Sequence, residues 1–119
     1  MQVIDIGEAK VLVAASDGPV VTKGEDALDF IGDAMGAGAD TVAIPLERLA
    51  PAVLDLSSRL AGELTQKFTN YRLRLAIVGD VSAAAARSES LAAYVAECNR
   101  GRSIWFVEDI EALRARLTR

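Results

Sequence analysis

Hydrophobic and polar positions divide the chain into short blocks with two different periods. "QVIDIG" and "AKVLVAA" carry Val3, Ile4, Val11 and Val13 in strand-like runs separated by Gly7-Glu8, which predicts a hairpin. "SDGP" at 16–19 ends the second strand, and a short extended piece, "VVT", follows. From Gly24 the period turns helical. Ala27, Leu28, Ile31, Ala34 and Met35 share one face, with Glu25, Asp26, Asp29 and Asp33 around the rest. Thr22 or Gly24 is the expected cap, and Gly36-Ala37-Gly38 supplies the stop.

"DTVAIP" reads as a buried strand ended by Pro45, followed by a turn or a single helical turn through "LERLA". Pro51 opens the next expected helix, whose stripe runs Leu56, Leu60, Leu64, Phe68 with Ala61 beside it. Asn70 is its expected left-handed cap, and Tyr71 the residue expected to pack back over the last turn. "LRLAIVGD" is almost continuously apolar, as in a strand covered on both faces. "VSAAAARSES" is a loop or a weak helical turn leading to a helix with Leu91, Tyr94, Val95 and Cys98 in one stripe. "SIWFV" is a strand, and Asp109 caps a last helix carrying Ile110, Leu113 and Leu117. The order β-β-α-β-α-β-α-β-α predicts a single α/β domain over residues 1–119. Its sheet is mixed and mostly parallel, with an N-terminal hairpin.

Composition narrows the chemistry more than it names it. A chain of 119 residues, 51% hydrophobic and 25% charged, suits one core. No apolar run approaches the roughly 18 to 20 residues of a membrane span. The start carries no basic stretch followed by an apolar core, so a cytoplasmic protein without a membrane partner is expected. The single cysteine, Cys98, forms no internal disulfide, in keeping with a reducing compartment. Net charge is −4, which gives no electrostatic case for nucleic acid. Its distribution is uneven: residues 1–63 hold eleven acids and four bases, residues 64–119 six acids and nine bases.

Histidine is absent, which excludes Ser–His–Asp and Cys–His nucleophile arrangements and removes the commonest metal ligand. The sequence also lacks CxxC, HExxH, P-loop and GxGxxG patterns, so neither a metal nor a cofactor is expected.

Three stretches carry a family resemblance. "LAGELTQKFTNYRLRLAIVGD", "SLAAYVAECNRG" and "WFVEDIEALRARL" resemble the bacterial domain of unknown function 4180 family, a likeness that spans nearly the whole chain and implies no known activity. The order of elements is more loosely similar to STAS domains, the sulfate-transporter and anti-sigma-factor-antagonist modules. That resemblance implies a STAS-like sandwich and a regulatory binding module phosphorylated on a serine near the start of the second helix. "DLSSRLAGEL" looks like the family's Asp-Ser-Ser-Gly-Leu stretch and places Ser57 or Ser58 at that site. Leu56 separates Asp55 from the serines, and Arg59 stands where the glycine would.

Each candidate residue has a functional and a plain structural reading. Asp80 ends the best strand, where ligands bind in open α/β sheets, or it caps the turn that follows. Asn70, Tyr71 and Arg72 offer an amide, a phenol and a guanidinium to a ligand, or form a helix end with a solvated charge. Glu63 is a perturbed carboxylate beside Arg72 or Lys67, or one half of an exposed i, i+4 pair with Lys67. Cys98 and Trp105 read as core.

The leading expectation is a small STAS-like regulatory or protein-binding module without catalysis of its own. It would act through a protein partner or self-association, on a surface joining Ser57 and Ser58 to the loop at Asp80. The rival is a small-molecule site or weak carboxylate-dependent enzyme built from Glu63, Asn70, Tyr71, Arg72 and Asp80.

Overall fold

The computed structural model describes residues 1–119. Five strands form one mixed sheet in the order β1-β2-β3-β4-β5: β1 Gln2–Ile6, β2 Ala9–Val13, β3 Thr41–Pro45, β4 Arg74–Val78 and β5 Ile104–Val107. β1 and β2 are the expected antiparallel hairpin, with Ile4 opposite Val11 and Gly7 at φ +59° in its turn. The pairs β2–β3, β3–β4 and β4–β5 are parallel, so each connection must return the chain across the sheet. Helices make those three returns: α1 Ala27–Ala37, α2 Leu60–Asn70, and the short α3 Ser82–Ala86 with α4 Glu89–Arg100; a further helix, α5 Ile110–Leu117, follows β5. The alanine run thus adds one short helix to the expected order. The carboxyl ends of β2 to β5 define an upper edge of the sheet, and their amino ends a lower edge.

Alternation along the strands sends side chains into two cores of unequal size. On one face Leu12, Val42, Ile44, Leu75, Ile77 and Phe106 pack against α1 and α2, with Tyr94, Val95 and Cys98 of α4 at the margin. On the other, Val11, Ala43, Ala76, Trp105 and Val107 meet α5 through Leu113. Val42, Ala43, Ile44, Leu75, Ala76 and Ile77 are all buried, so β3 and β4 are the doubly covered strands. The buried face of α1 is Ala27, Phe30, Ile31 and Ala34. Leu28 and Met35, expected on that face, are exposed, because Phe30 rather than Leu28 turns toward the sheet.

Helix ends depart from expectation where side-chain bonds outcompete the apolar stripe. The helix expected to open at Pro51 is instead two 3₁₀ turns, Pro51–Leu54 and Leu56–Ser58, before α2. Asp55 accepts from the Ser57 N–H at 3.1 Å, and Arg59 at φ +66° breaks the register, so Leu56 lies outside α2. At the far end the left-handed residue is Arg72, at φ +58°, and not Asn70, which is the last residue of α2. The Arg72 N–H donates to the Thr69 carbonyl and the Leu73 N–H to the Phe68 carbonyl, both at 3.0 Å. That is a Schellman closure with arginine in the place glycine prefers, and buried Leu73 rather than Tyr71 packs back onto Phe68. Tyr71 is half exposed.

Neither Thr22 nor Gly24 caps the start of α1. Asp26 reaches back to accept from the Thr22 N–H at 2.9 Å, the Thr22 hydroxyl at 3.3 Å and the Lys23 N–H at 3.3 Å. The Thr22 N–H foremost holds its carboxyl below the usual range. Gly38, at φ +71°, ends α1 as expected.

Two outcomes follow from these helix ends. A left-handed residue with a Cβ costs about 1–2 kcal/mol. Arg72→Gly should therefore raise the urea midpoint by an amount equivalent to about 1 kcal/mol; an unchanged or lower midpoint would show that the arginine side chain makes stabilising contacts. The depressed Asp26 pKa means its bonds stabilise the fold above the unfolded carboxylate pKa and fade as pH falls through the folded value. Asp26→Ala should thus lower the melting temperature at neutral pH, and the gap from the parent chain should narrow in acid.

Candidate functional site

The upper edge is built from the loops that follow β3 and β4. After Pro45 the chain cannot extend β3 further into the ladder, and three 3₁₀ turns carry it to α2. Serine hydroxyls tie these turns together. Ser57 Oγ donates to Asp55 Oδ1 at 2.6 Å. Ser58 Oγ donates to the Ala52 carbonyl at 2.6 Å and accepts from the Leu60 N–H, the first of α2, at 3.2 Å. Both serines are exposed.

Asp80 lies on the same edge, after Gly79. A Cβ at Gly79 would stand 2.7 Å from the Leu46 Cβ, so glycine lets the β3 and β4 loops touch. Asp80 Oδ1 accepts from the Ser82 N–H at 2.9 Å, the bond expected of a cap. The Ser82 hydroxyl first, and then that N–H, lower its pKa. α3 divides the edge into two cavities. One, of about 490 Å³, has Asp55, Ser57, Arg87, Ser88 and Ser90 in its walls; the other, of about 350 Å³, has Asp80, Ser82, Val95, Phe106 and Glu108.

The remaining candidates lie elsewhere. Asp80 and Arg72 sit beyond opposite ends of β4, a strand about 17 Å long, so they do not share a pocket. Glu63 and Asn70 line a groove between α2 and the turn at Lys23-Gly24, where Gln66 Nε2 donates to Asn70 Oδ1 at 2.8 Å. Glu63 pairs with neither Lys67 nor Arg72; the two ion pairs are Arg100–Glu97 and Arg114–Glu111. Arg72 lines a separate cavity at the lower edge with Arg74 and Arg102. The single pocket expected from Glu63, Asn70, Tyr71, Arg72 and Asp80 is therefore not formed: Glu63 and Asn70 line one cavity, Arg72 a second and Asp80 a third.

Cys98 is half-buried, and burial pushes its thiol up, away from the reactive range. Tyr94 is likewise raised by burial, its hydroxyl 3.4 Å from Thr65 Oγ1. No three Cys, Asp or Glu side chains converge in a geometry that would hold a metal ion.

Arg74, Arg87 and Arg102 were not foreseen as site residues. The excess of bases in residues 64–119 was the available signal, but charge counted along the chain does not tell which strand ends become neighbours.

No helix is long and apolar enough to cross a membrane. No curated protein and no solved structure matches the chain. The family model described as "Domain of unknown function (DUF4180)" matches residues 6–117, in agreement with the likeness carried by the three sequence stretches. With that match covering nearly all of its 119 residues, the chain belongs to the DUF4180 family.

Proposed function

We propose that this chain is a non-catalytic, STAS-like regulatory module of the cytoplasm that binds a protein partner or a second copy of itself through its upper edge. The observation that carries the reading is the double role of Ser58. Its hydroxyl holds the Ala52 carbonyl and the first N–H of α2 at once, while remaining exposed. Phosphorylation would remove the donated proton, so the bond to Ala52 would be lost and the turns at 51–58 released. The new charge would meet the positive end of α2. Ser57 offers a second position: it faces the cavity that also contains Arg87, a partner for phosphate. Asp55 beside Ser57 opposes an added anion, which favours Ser58 as the modified residue.

Chemistry at this edge is arranged for conformation rather than for proton transfer. Asp80 and Asp55 are occupied as acceptors of local N–H groups, and Asp80 is held ionised through neutral pH.

Native mass spectrometry of the protein gently purified from its source should find a covalent phosphate on the chain or a partner subunit. With the partner in hand, Ser58→Asp should change its affinity by roughly tenfold, and Ser58→Ala, which loses the hydroxyl bonds to the turn without adding charge, should change it in the same direction but by less. Equal affinities for the parent and both variants would remove serine regulation from the reading.

A further inference from the structure

The lower edge carries a second constellation, independent of the serine turns. Sheet order sets its parts side by side: Arg72 and Arg74 flank the entry to β4, and Arg102 precedes β5. All three line a cavity of about 580 Å³ whose walls also include Glu8 and Asp40, the latter beside Arg74, whose N–H donates to the Asp40 carbonyl at 3.0 Å. Arg74 Nε donates to the Arg102 carbonyl at 3.1 Å and its Nη1 to Thr41 Oγ1 at 3.2 Å. Its guanidinium lies over the Trp105 ring, 4.7 Å from the centroid, and that of Arg116 lies 4.2 Å from the same centroid. Arg116 also donates to the Asn99 carbonyl near the end of α4.

Pairing with carbonyls at helix ends accounts for part of this arrangement. It leaves two features unexplained. The side chains of Arg72 and Arg102 enter neither ion pair of the protein, and two guanidiniums share one indole without a carboxylate paired to either. Burial foremost, and after it the charges of Arg119 and Arg74, lower the Arg116 pKa. Arg72 is moreover held in a backbone conformation that glycine would adopt without strain.

We infer that this cavity is an oxyanion site that takes the phosphate of a small, hydroxylated phosphate monoester. Arg72 and Arg102 supply charge-assisted donors whose planar forks match phosphate oxygens, and Arg74, whose Nε and Nη1 already donate to protein oxygens, adds positive charge beside them. Asp40 is fixed by the Thr41 hydroxyl at 2.7 Å and the Lys10 N–H at 3.1 Å. With Glu8 it offers hydrogen-bond acceptors to hydroxyl groups on the rest of the ligand and disfavours further negative charge there. The cavity is far larger than a phosphate group, which leaves room for that remainder.

The test titrates the full chain with ribose 5-phosphate, inorganic phosphate and ribose at constant ionic strength, by calorimetry and by thermal unfolding. Ribose 5-phosphate should bind saturably and more tightly than inorganic phosphate, and ribose should not bind. Arg102→Gln and Arg72→Gly should each weaken binding by roughly tenfold or more. Because Arg72→Gly should melt no lower than the parent without ligand, its loss of binding would not reflect misfolding. Ser58→Asp should bind as the parent does, which keeps this site separate from the upper edge. Absence of saturable binding by both phosphates, or undiminished affinity in both arginine variants, would overturn the site. Inorganic phosphate binding as tightly as the ester would overturn the assignment of a monoester.

Discussion

Burial of β3 and β4 on both faces is the constraint on which the rest of this structure depends. Their backbone groups are satisfied by parallel neighbours, so their side chains decide what each face must carry. One face presents Val42, Ile44, Leu75 and Ile77, large enough to need the broad cover of α1 and α2. The other presents Ala43 and Ala76, small enough for one eight-residue helix, α5, to close over them with Leu113. Trp105 fills what the alanines leave, and its ring N–H donates to the Gly101 carbonyl at 2.8 Å rather than being buried unpaired.

That uneven cover determines where polar chemistry can stand. Thr41 is the single buried polar residue, and it is fully engaged: it donates to Asp40 and accepts from Arg74. Those bonds reach from the interior to the lower edge, where the arginines meet the indole. Parallel order places the loops after β3 and β4 together at the opposite edge, where hydroxyls and aspartates turn inward to hold short turns. Two edges of different chemistry follow from one sheet.

Much of the fold was legible because its signals are local and repeated. The hairpin, the apolar run at 73–78 and the spacing of Leu60, Leu64 and Phe68 each agree with the element formed. What escaped depended on single bonds. Asp55 and Ser58 interrupt an apolar period that would otherwise continue from Leu56 into α2. Arg72 occupies a position that propensity assigns to glycine or asparagine, so Asn70 was the better guess by residue type alone. Site residues were harder still. Asp80 was legible as a cap, since Asp after a strand has an N–H within reach. Grouping it with Tyr71 and Arg72 failed because proximity in sequence across β4 is separation in space by the length of that strand. Arg48 shows the same limit: it donates to the Ala15 and Pro19 carbonyls at 2.9 and 2.8 Å, across about thirty residues of chain, and lies over Phe30.

Helix α2 is the one element that runs from the serine turns to the arginine cavity, and its packing bears on whether the two edges communicate. Leu60, Ala61, Leu64 and Phe68 are all buried against the sheet, so sliding the helix would disturb a close-packed core at four points. Its two ends are also bounded by left-handed residues: Arg59 separates the 3₁₀ turns from the first turn of α2, and Arg72 separates its last turn from β4. A change of hydrogen bonding at Ser58 reaches the first N–H of α2 directly, but it can move the helix only by disturbing that core. Coupling between edges requires an element with two packed arrangements, and a second one for α2 would have to repack its four buried residues. The molecule thus carries two chemically distinct ends on one sheet, and α2 touches both, at Leu60 and at Thr69.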